Sequence, residues 1–235
     1  MKMTKHGENL VQLTRFPLIF PVNVFLVREN DGFPLVDAAV GGSAPAILKA
    51  AKSLGSEIVR LTLTHAHNDH IGSLDELIAA LPNAELSMSA ETRRVLTEAR
   101  EAKARQSPDK ALPALHPRLL QPGDRVGSLE VVAAPGHSID QIAFLDTRDR
   151  ALIVGDAFQT RGGIAVSGTV NWTFPFPAFA TTDKVQALET ARALRSLGPS
   201  RLAVGHGNAL TSPLGAMDEA IRVAERKLSK TVAHA

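Results

Sequence analysis

Short apolar bursts alternate along the chain with longer stretches of helical spacing. "VNVFLV" (22–27) and "FPLVDAAV" (33–40) read as two strands joined by "RENDG", whose Asp-Gly pair is a hairpin signal. "APAILKAAKSLG" (44–55) places Ile47, Leu48, Ala51 and Leu54 at helical spacing, with Gly55 where a C-cap belongs. "IVRLTLT" (58–64) alternates like a strand and runs into "HAHNDHIG". Ser73 and Glu76 then form a capping box for a helix over "LDELIAAL", which Pro82 stops. A strand over 84–89 and a charged helix over 90–106 follow. The stretch 106–124 carries four prolines and reads as a loop or crossover, the best seam between two halves.

The second half opens with a strand, "SLEVVAAP" (128–135), that ends at "GHS". "QIAFLD" (141–146), the turn "TRDR" and "ALIVGD" (151–156) make a hairpin. Residues 161–180 are rich in Gly and aromatics and show no clear period. A helix near 183–197 ends at Gly198, a strand covers "RLAVGHG" (201–207), and a last helix spans roughly 213–229. Strands interleaved with helices make this an α/β chain. Its 235 residues read as one domain, 1–235, with halves near 1–124 and 125–235.

Composition narrows the function classes. An apolar share of 44 % and a charged share of 21 % describe a globular protein able to bury a sizeable interior. The pI of about 9.1 comes from a net charge of only +2 in a chain without Tyr or Cys, so it is no nucleic-acid footprint. Without cysteine there is no disulfide, thiolate nucleophile or thiolate metal ligand. The N-terminus has no apolar core of a secretory signal, and "FPLIFPVNVFLV" (16–27) is too short and Pro-broken to span a membrane. The expectation is a cytoplasmic protein that binds neither nucleic acid nor membrane and acts on a small molecule, with a homodimer left open.

The candidate chemistry sits at strand ends. Of eight histidines, three fall within residues 65–70, together with Asp69. Such an H-x-H-x-x-H pattern arises by chance in about one chain in a hundred of this length. His65 and His67, two apart on extended backbone, point the same way, and Asp69 and His70 come where the chain turns. Neutral imidazoles and a carboxylate suit a divalent metal such as zinc. Three further junctions, "APGHS", "IVGDA" and "AVGHG", deliver His137, Asp156 and His206 beside glycines. All four clusters follow apolar runs, the carboxyl ends where open α/β sheets bind ligands. His6, His116 and His234 are given no role.

With these residues in this order, the chain resembles the metallo-β-lactamase superfamily over nearly its whole length, from "VNVFLV" to "GHG". The resemblance implies an αββα sandwich, two mixed sheets face to face with helices outside and the metal centre at one edge. It implies that His65, His67 and His137 hold a first metal, that Asp69, His70 and His206 hold a second, and that Asp156 bridges them. Asp37 matches an early strand-end aspartate and is taken as a structural or orienting residue rather than a ligand. Two divalent ions, zinc foremost with iron or manganese as alternatives, would share a water acidified to hydroxide near neutral pH. Asp69 would orient that nucleophile. The implied reaction is hydrolysis of a small ester, lactone, thioester or amide.

Departures from the family pattern bear on substrate. β-Lactamases of the best-known subgroup carry Cys where this chain has Asp156, and lactonases use a tyrosine that this chain lacks. Glyoxalase II adds a helical C-terminal domain, whereas about 29 residues follow His206 here. A persulfide-oxidising iron enzyme is the alternative, and a nuclease a more distant one. "VNWTFPFPAFA" (170–180) suggests an apolar wall from Trp172, Phe174, Phe176 and Phe179, with Phe20 from the 16–20 stretch. The other reading is that these aromatics fill core or a dimer contact.

Overall fold

The computed structural model describes residues 1–106 and 114–232. Pro108, Pro113 and His234 lie outside the described residues. The first sheet holds β1 (Lys2–His6), β2 (Leu10–Arg15), β3 (Val22–Val27), β4 (Phe33–Val36), β5 (Ile58–Thr62), β6 (Glu85–Ser89) and β7 (Arg118–Leu120), in that order. Pairing is antiparallel from β1 to β4 and parallel from β4 to β7. The parallel crossovers carry α1 (Ala44–Ser53), α3 (Leu74–Ala80) and α4 (Ala90–Gln106); α2 (Asn68–Ile71) is a single turn before α3.

The second sheet uses β8 (Arg125–Val126), β9 (Leu129–Ala133), β10 (Ile142–Asp146), β11 (Ala151–Ile153), β14 (Arg201–Ala203) and β15 (Leu210–Thr211), in the order β15-β14-β11-β10-β9-β8. β12 (Phe158–Gln159) and β13 (Ala165–Val166) form a separate ribbon. α5 (Phe176–Phe179), α6 (Lys184–Ser196) and α7 (Leu214–Val232) complete the chain.

Period-two alternation explains the layers. Along β3, Val22, Val24 and Leu26 pack toward α1, α3 and α4, while Phe25 and Val27 turn to the second sheet. Along β10, Ile142 and Phe144 face the first sheet, while Ala143 and Leu145 join Leu188, Ala191 and Met217 of α6 and α7. Both faces of these strands are covered, which is why they read as continuous apolar runs. Helix, sheet, sheet and helix layers follow, the sandwich that the resemblance implied. Each fully buried Phe, such as Phe25 and Phe144, contributes about 1.5–3 kcal/mol by leaving water. Among the described residues no helix is long and apolar enough to cross a membrane.

Several sequence expectations are corrected. β1 and β2 precede the first expected strand; β1 is a polar, lysine-bearing edge with little apolar signal. The strand expected over 33–40 stops at Val36, because Asp37 (φ 67°) and Ala39 (φ 55°) turn into the left-handed region. The proline-rich 106–124 stretch is not only loop, since β7 sits between Pro117 and Pro122 and pairs with β6. Ser73 and Glu76 do not form a capping box. The Ser73 hydroxyl donates to the Val40 carbonyl and accepts from the Ser43 amide, and Glu76 accepts from the Gly42 amide. Both side chains tie down the loop from β4 to α1 instead.

Candidate metal centre

The strands of both sheets stop short and hand their last residues to one edge of the sandwich. After β5 come Leu63, Thr64 and His65; after β11, Val154, Gly155 and Asp156; after β14, Val204, Gly205 and His206. The Gly205 amide bonds the Gly155 carbonyl at 2.8 Å, so the last two tails stay paired beyond the strands. Gly205 has a steric reason to be glycine: a Cβ there would lie 2.1 Å from Asp156 Oδ1 and 2.8 Å from His70 Cε1. The backbone remains extended at His67 (φ −69°, ψ 147°), then closes into α2, whose His70 amide bonds the His67 carbonyl at 2.8 Å.

Three groups of ligand-type atoms result. His65, His67 and His137 form one, Asp69, His70 and His206 another, and His65, His70 and Asp156 lie between them. Within the first, His67 Nδ1 is 3.1 Å from His65 Nε2 and 3.0 Å from His137 Nε2. Within the second, His206 Nε2 is 3.3 Å from Asp69 Oδ2. Asp156 reaches both: Oδ1 is 3.3 Å from His70 Nε2, and Oδ2 is 3.1 Å from His206 Nε2 and 3.5 Å from His137 Nε2. All of these except His67 and Asp69 are buried.

Hydrogen bonds at the far ring nitrogens fix which atoms face inward. The Thr64 hydroxyl donates to Asp37 at 2.9 Å and so accepts from His65 Nδ1, 2.9 Å away. His70 Nδ1 donates to Asp37 Oδ2 at 2.8 Å, and His206 Nδ1 to the Pro21 carbonyl at 2.7 Å. Thr181 gives its proton to the Pro177 carbonyl and Ser167 gives its own to the Asp156 carbonyl, so both accept from His137 Nδ1 at 3.2 Å. His65, His70, His137 and His206 therefore present Nε2, and His67 presents Nδ1. His70 Nε2 and Asp156 Oδ1 are buried without a hydrogen-bond partner. Orphaned atoms of this kind, aimed at one another and ringed by imidazoles, fit a cation between them.

The two groups differ in electrostatics. Burial pushes His65 well below the ordinary imidazole range, with His70 adding to it. Burial likewise lowers His137 to about 4 against the pull of Asp156. Burial also opposes charge on His70 and His206, but facing carboxylates outweigh it. Asp156 and Asp37 raise His70 well above its usual value, and Asp156 and Asp69 raise His206 to about 9. In return, His206 and His70 hold Asp156 well below the carboxylate range despite its burial, and His206 holds Asp69 down.

Asp140, which the sequence reading passed over, braces this edge. Its buried carboxylate accepts from the Ala66 amide at 2.8 Å, Thr92 Oγ1 at 3.0 Å and Ser138 Oγ at 2.5 Å. It thereby ties the His65–His67 turn to the His137 turn and to the first turn of α4. Gln12 and Asn23 do the same for His206: Gln12 Nε2 bonds Asn23 Oδ1 and the Gly207 carbonyl, while Asn23 Nδ2 bonds the Val204 and Gly207 carbonyls.

A cavity of about 1010 Å³ opens over the site and touches His67, Asp69, Asp156 and His206. Phe20, Phe176 and Phe179 line it. Phe174 is buried behind them, its ring 5.0 Å from Phe20, 5.3 Å from Phe176 and 5.2 Å from His206. Trp172 does not line the cavity; it is 84 % exposed on the outer side of its loop. α4 also lines the cavity through Leu96, Ala99, Arg100 and Lys103, a contribution the sequence reading did not anticipate.

Comparison with known proteins agrees with this geometry. The model of the metallo-beta-lactamase superfamily matches residues 18–206. An uncharacterized protein of Bacillus subtilis (strain 168), YobT, is 44 % identical over 96 % of this chain and 100 % of its own length. A hydroxyacylglutathione hydrolase of Cyanothece sp. (strain PCC 7425 / ATCC 29141) is 32 % identical over 57 % of this chain, a match spanning only 47 % of that protein. A solved structure of TTHA1623 in a di-iron-bound form is 27 % identical and superposes with a TM-score of 0.66, covering 87 % of this chain and 96 % of that one.

Proposed function

The chain belongs to the metallo-β-lactamase superfamily, and on that premise we propose that it is a hydrolase using two divalent cations to cleave an ester, thioester, lactone or amide of a small molecule. His65, His67 and His137 would hold one cation and Asp69, His70 and His206 the other, with Asp156 between the two groups. When bound, the cations supply a water made acidic enough to attack at neutral pH and a Lewis acid for the substrate carbonyl.

The protein's part is orientation. Asp69, on the cavity wall and kept ionised by its contact with His206, accepts a hydrogen bond from the attacking water and aligns its lone pair. The partners on Nδ1 of His65, His70, His137 and His206 keep those rings from rotating out of the ligand pose. The wall of Phe20, Phe176 and Phe179 excludes water and receives the apolar part of the substrate. The observation that carries this reading is Asp156, one buried carboxylate that faces His70 and His206 of one group and His137 of the other.

A screen over lactones, thioesters, β-lactams and phosphodiesters, run with elemental analysis, tests it. Two zinc ions per chain and turnover in one of the carbonyl classes are expected. One iron per chain with oxygen uptake on a persulfide would overturn it. The di-iron form of the TTHA1623 neighbour favours a second reading of the metal alone, with the same ligands around two irons.

A further inference from the structure

α4 carries charges of both signs, yet it sorts them. Its cavity face is the stripe Leu96, Ala99, Arg100 and Lys103, spaced i, i+3, i+4 and i+7 as one side of a helix must be. Only cations occupy the charged places of that stripe. The acids of the helix pair elsewhere: Glu91 and Glu98 with Arg94 at 2.8 Å each, and Glu101 with Arg105 at 3.8 Å. Arg100 is anchored against Asp75, which also lines the cavity, so that pair is close to neutral. The remaining acids of the lining, Asp69 and Asp156, belong to the metal centre. Among the described residues of the lining, Lys103 is thus the cation left over beyond the Arg100–Asp75 pair.

The helix also fixes the order of these features. Thr92, in its first turn, is tied through Asp140 to the Ala66 amide beside the metal-site histidines. Lys103 is eleven residues further on, about 16 Å along the axis at the usual helical rise. Leu96 and Ala99 fall between, and Phe20, Phe176 and Phe179 line the same cavity.

Building on the proposed hydrolase, we infer that its substrate is an acyl ester, thioester or lactone bearing a carboxylate or phosphate beyond an apolar spacer, with Lys103 reading the anion while the reacting carbonyl lies at the metal centre. Water adds across the acyl bond, giving the free acid and the protonated leaving group, and the remote anion takes no part in that exchange.

The test uses thioesters of an acyl chain of about twelve carbons, comparable in reach to the spacing along α4. One carries a free terminal carboxylate, one its methyl ester and one a terminal phosphate; a four-carbon carboxylate is the short control. The expected preference for the long anionic forms over the methyl ester is about ten-fold in kcat/KM, carried by KM and weakened by salt. Whether carboxylate or phosphate leads names the head group. Lys103→Glu should abolish the preference and Lys103→Arg keep it. Lys49→Glu, the same charge change on exposed α1, should also keep it. Equal rates for the long anionic and neutral thioesters would overturn the inference and leave the hydrolase reading standing. If neither is hydrolysed, calorimetry with free dodecanedioate and the metal-loaded protein decides. Binding weakened by Lys103→Glu supports the subsite, and absent or unaffected binding overturns it.

Discussion

His137 and His206 face the same carboxylate, yet one is held at about 4 and the other at about 9. The difference lies in their surroundings. In the first group, His65 and His137 have imidazoles for neighbours and hydroxyls behind them, and burial strips their protons. The group of Asp69, His70 and His206 is laced with acids, Asp37 behind His70 and Asp69 and Asp156 in front, which hold protons there against burial. One edge of the fold thus carries two unlike pockets of charge that share Asp156. A cation entering the first meets neutral rings at His65 and His137; one entering the second must displace the proton held at His206.

Substitutions can separate the two groups. Asp156→Ala removes the group they share, and hydrolysis in a steady-state assay is expected to fall by at least about a thousand-fold. Retention of most of the rate would break the comparison at its centre. Asp37→Ala acts most directly on the second group: loss of the His70 Nδ1 partner should weaken one of two zinc affinities by about 10–100-fold in a competition titration, while His65, reached only through the Thr64 hydroxyl, is affected less. Equal weakening of both would show that the groups are not separable.

Asp140→Ala works through the other side. It strands the Ala66 amide and the Ser138 and Thr92 hydroxyls, and denaturant melts should show a loss of about 2–4 kcal/mol. A change within error would mean that water replaces the carboxylate. The smallest signal is protonic. His206 is raised to about 9, so it is charged at pH 7.5 and neutral once pH passes that value, and His70 is shifted in the same direction; His65 and His137 are lowered and already neutral at pH 7.5. Zinc uptake at pH 7.5 should therefore release the proton held on His206 in an indicator titration, with the equivalent that fills its group, and that contribution should shrink as pH rises through about 9. Release that grows with pH would contradict this.

How much of this the sequence disclosed depended on range. His65, His67, Asp69 and His70 lie within one turn, and His137, Asp156 and His206 follow glycines at the ends of apolar runs, so local pattern located them. Asp140 shows only as the Asp of "GHSID"; its worth comes from Thr92 and Ala66, 48 and 74 residues away. Asp37 drew notice by position, but its grip on Thr64 and His70 depends on a left-handed φ that strand alternation does not encode. The α4 stripe was hidden because a helix with mixed charge looks solvent-facing until its neighbours are known. Trp172 misled for the opposite reason: proximity in sequence to Phe174 and Phe176 did not place it on their side of the loop.

Among the described residues, Asp156 is the one carboxylate that faces both groups of ligand atoms. The most direct test of that joint role is zinc counted per chain after loading and desalting, for the unchanged protein and for Asp156→Asn. Two ions in the former and one or none in the latter are predicted; saturation of the unchanged protein at one ion, or two ions retained by Asp156→Asn, would contradict it.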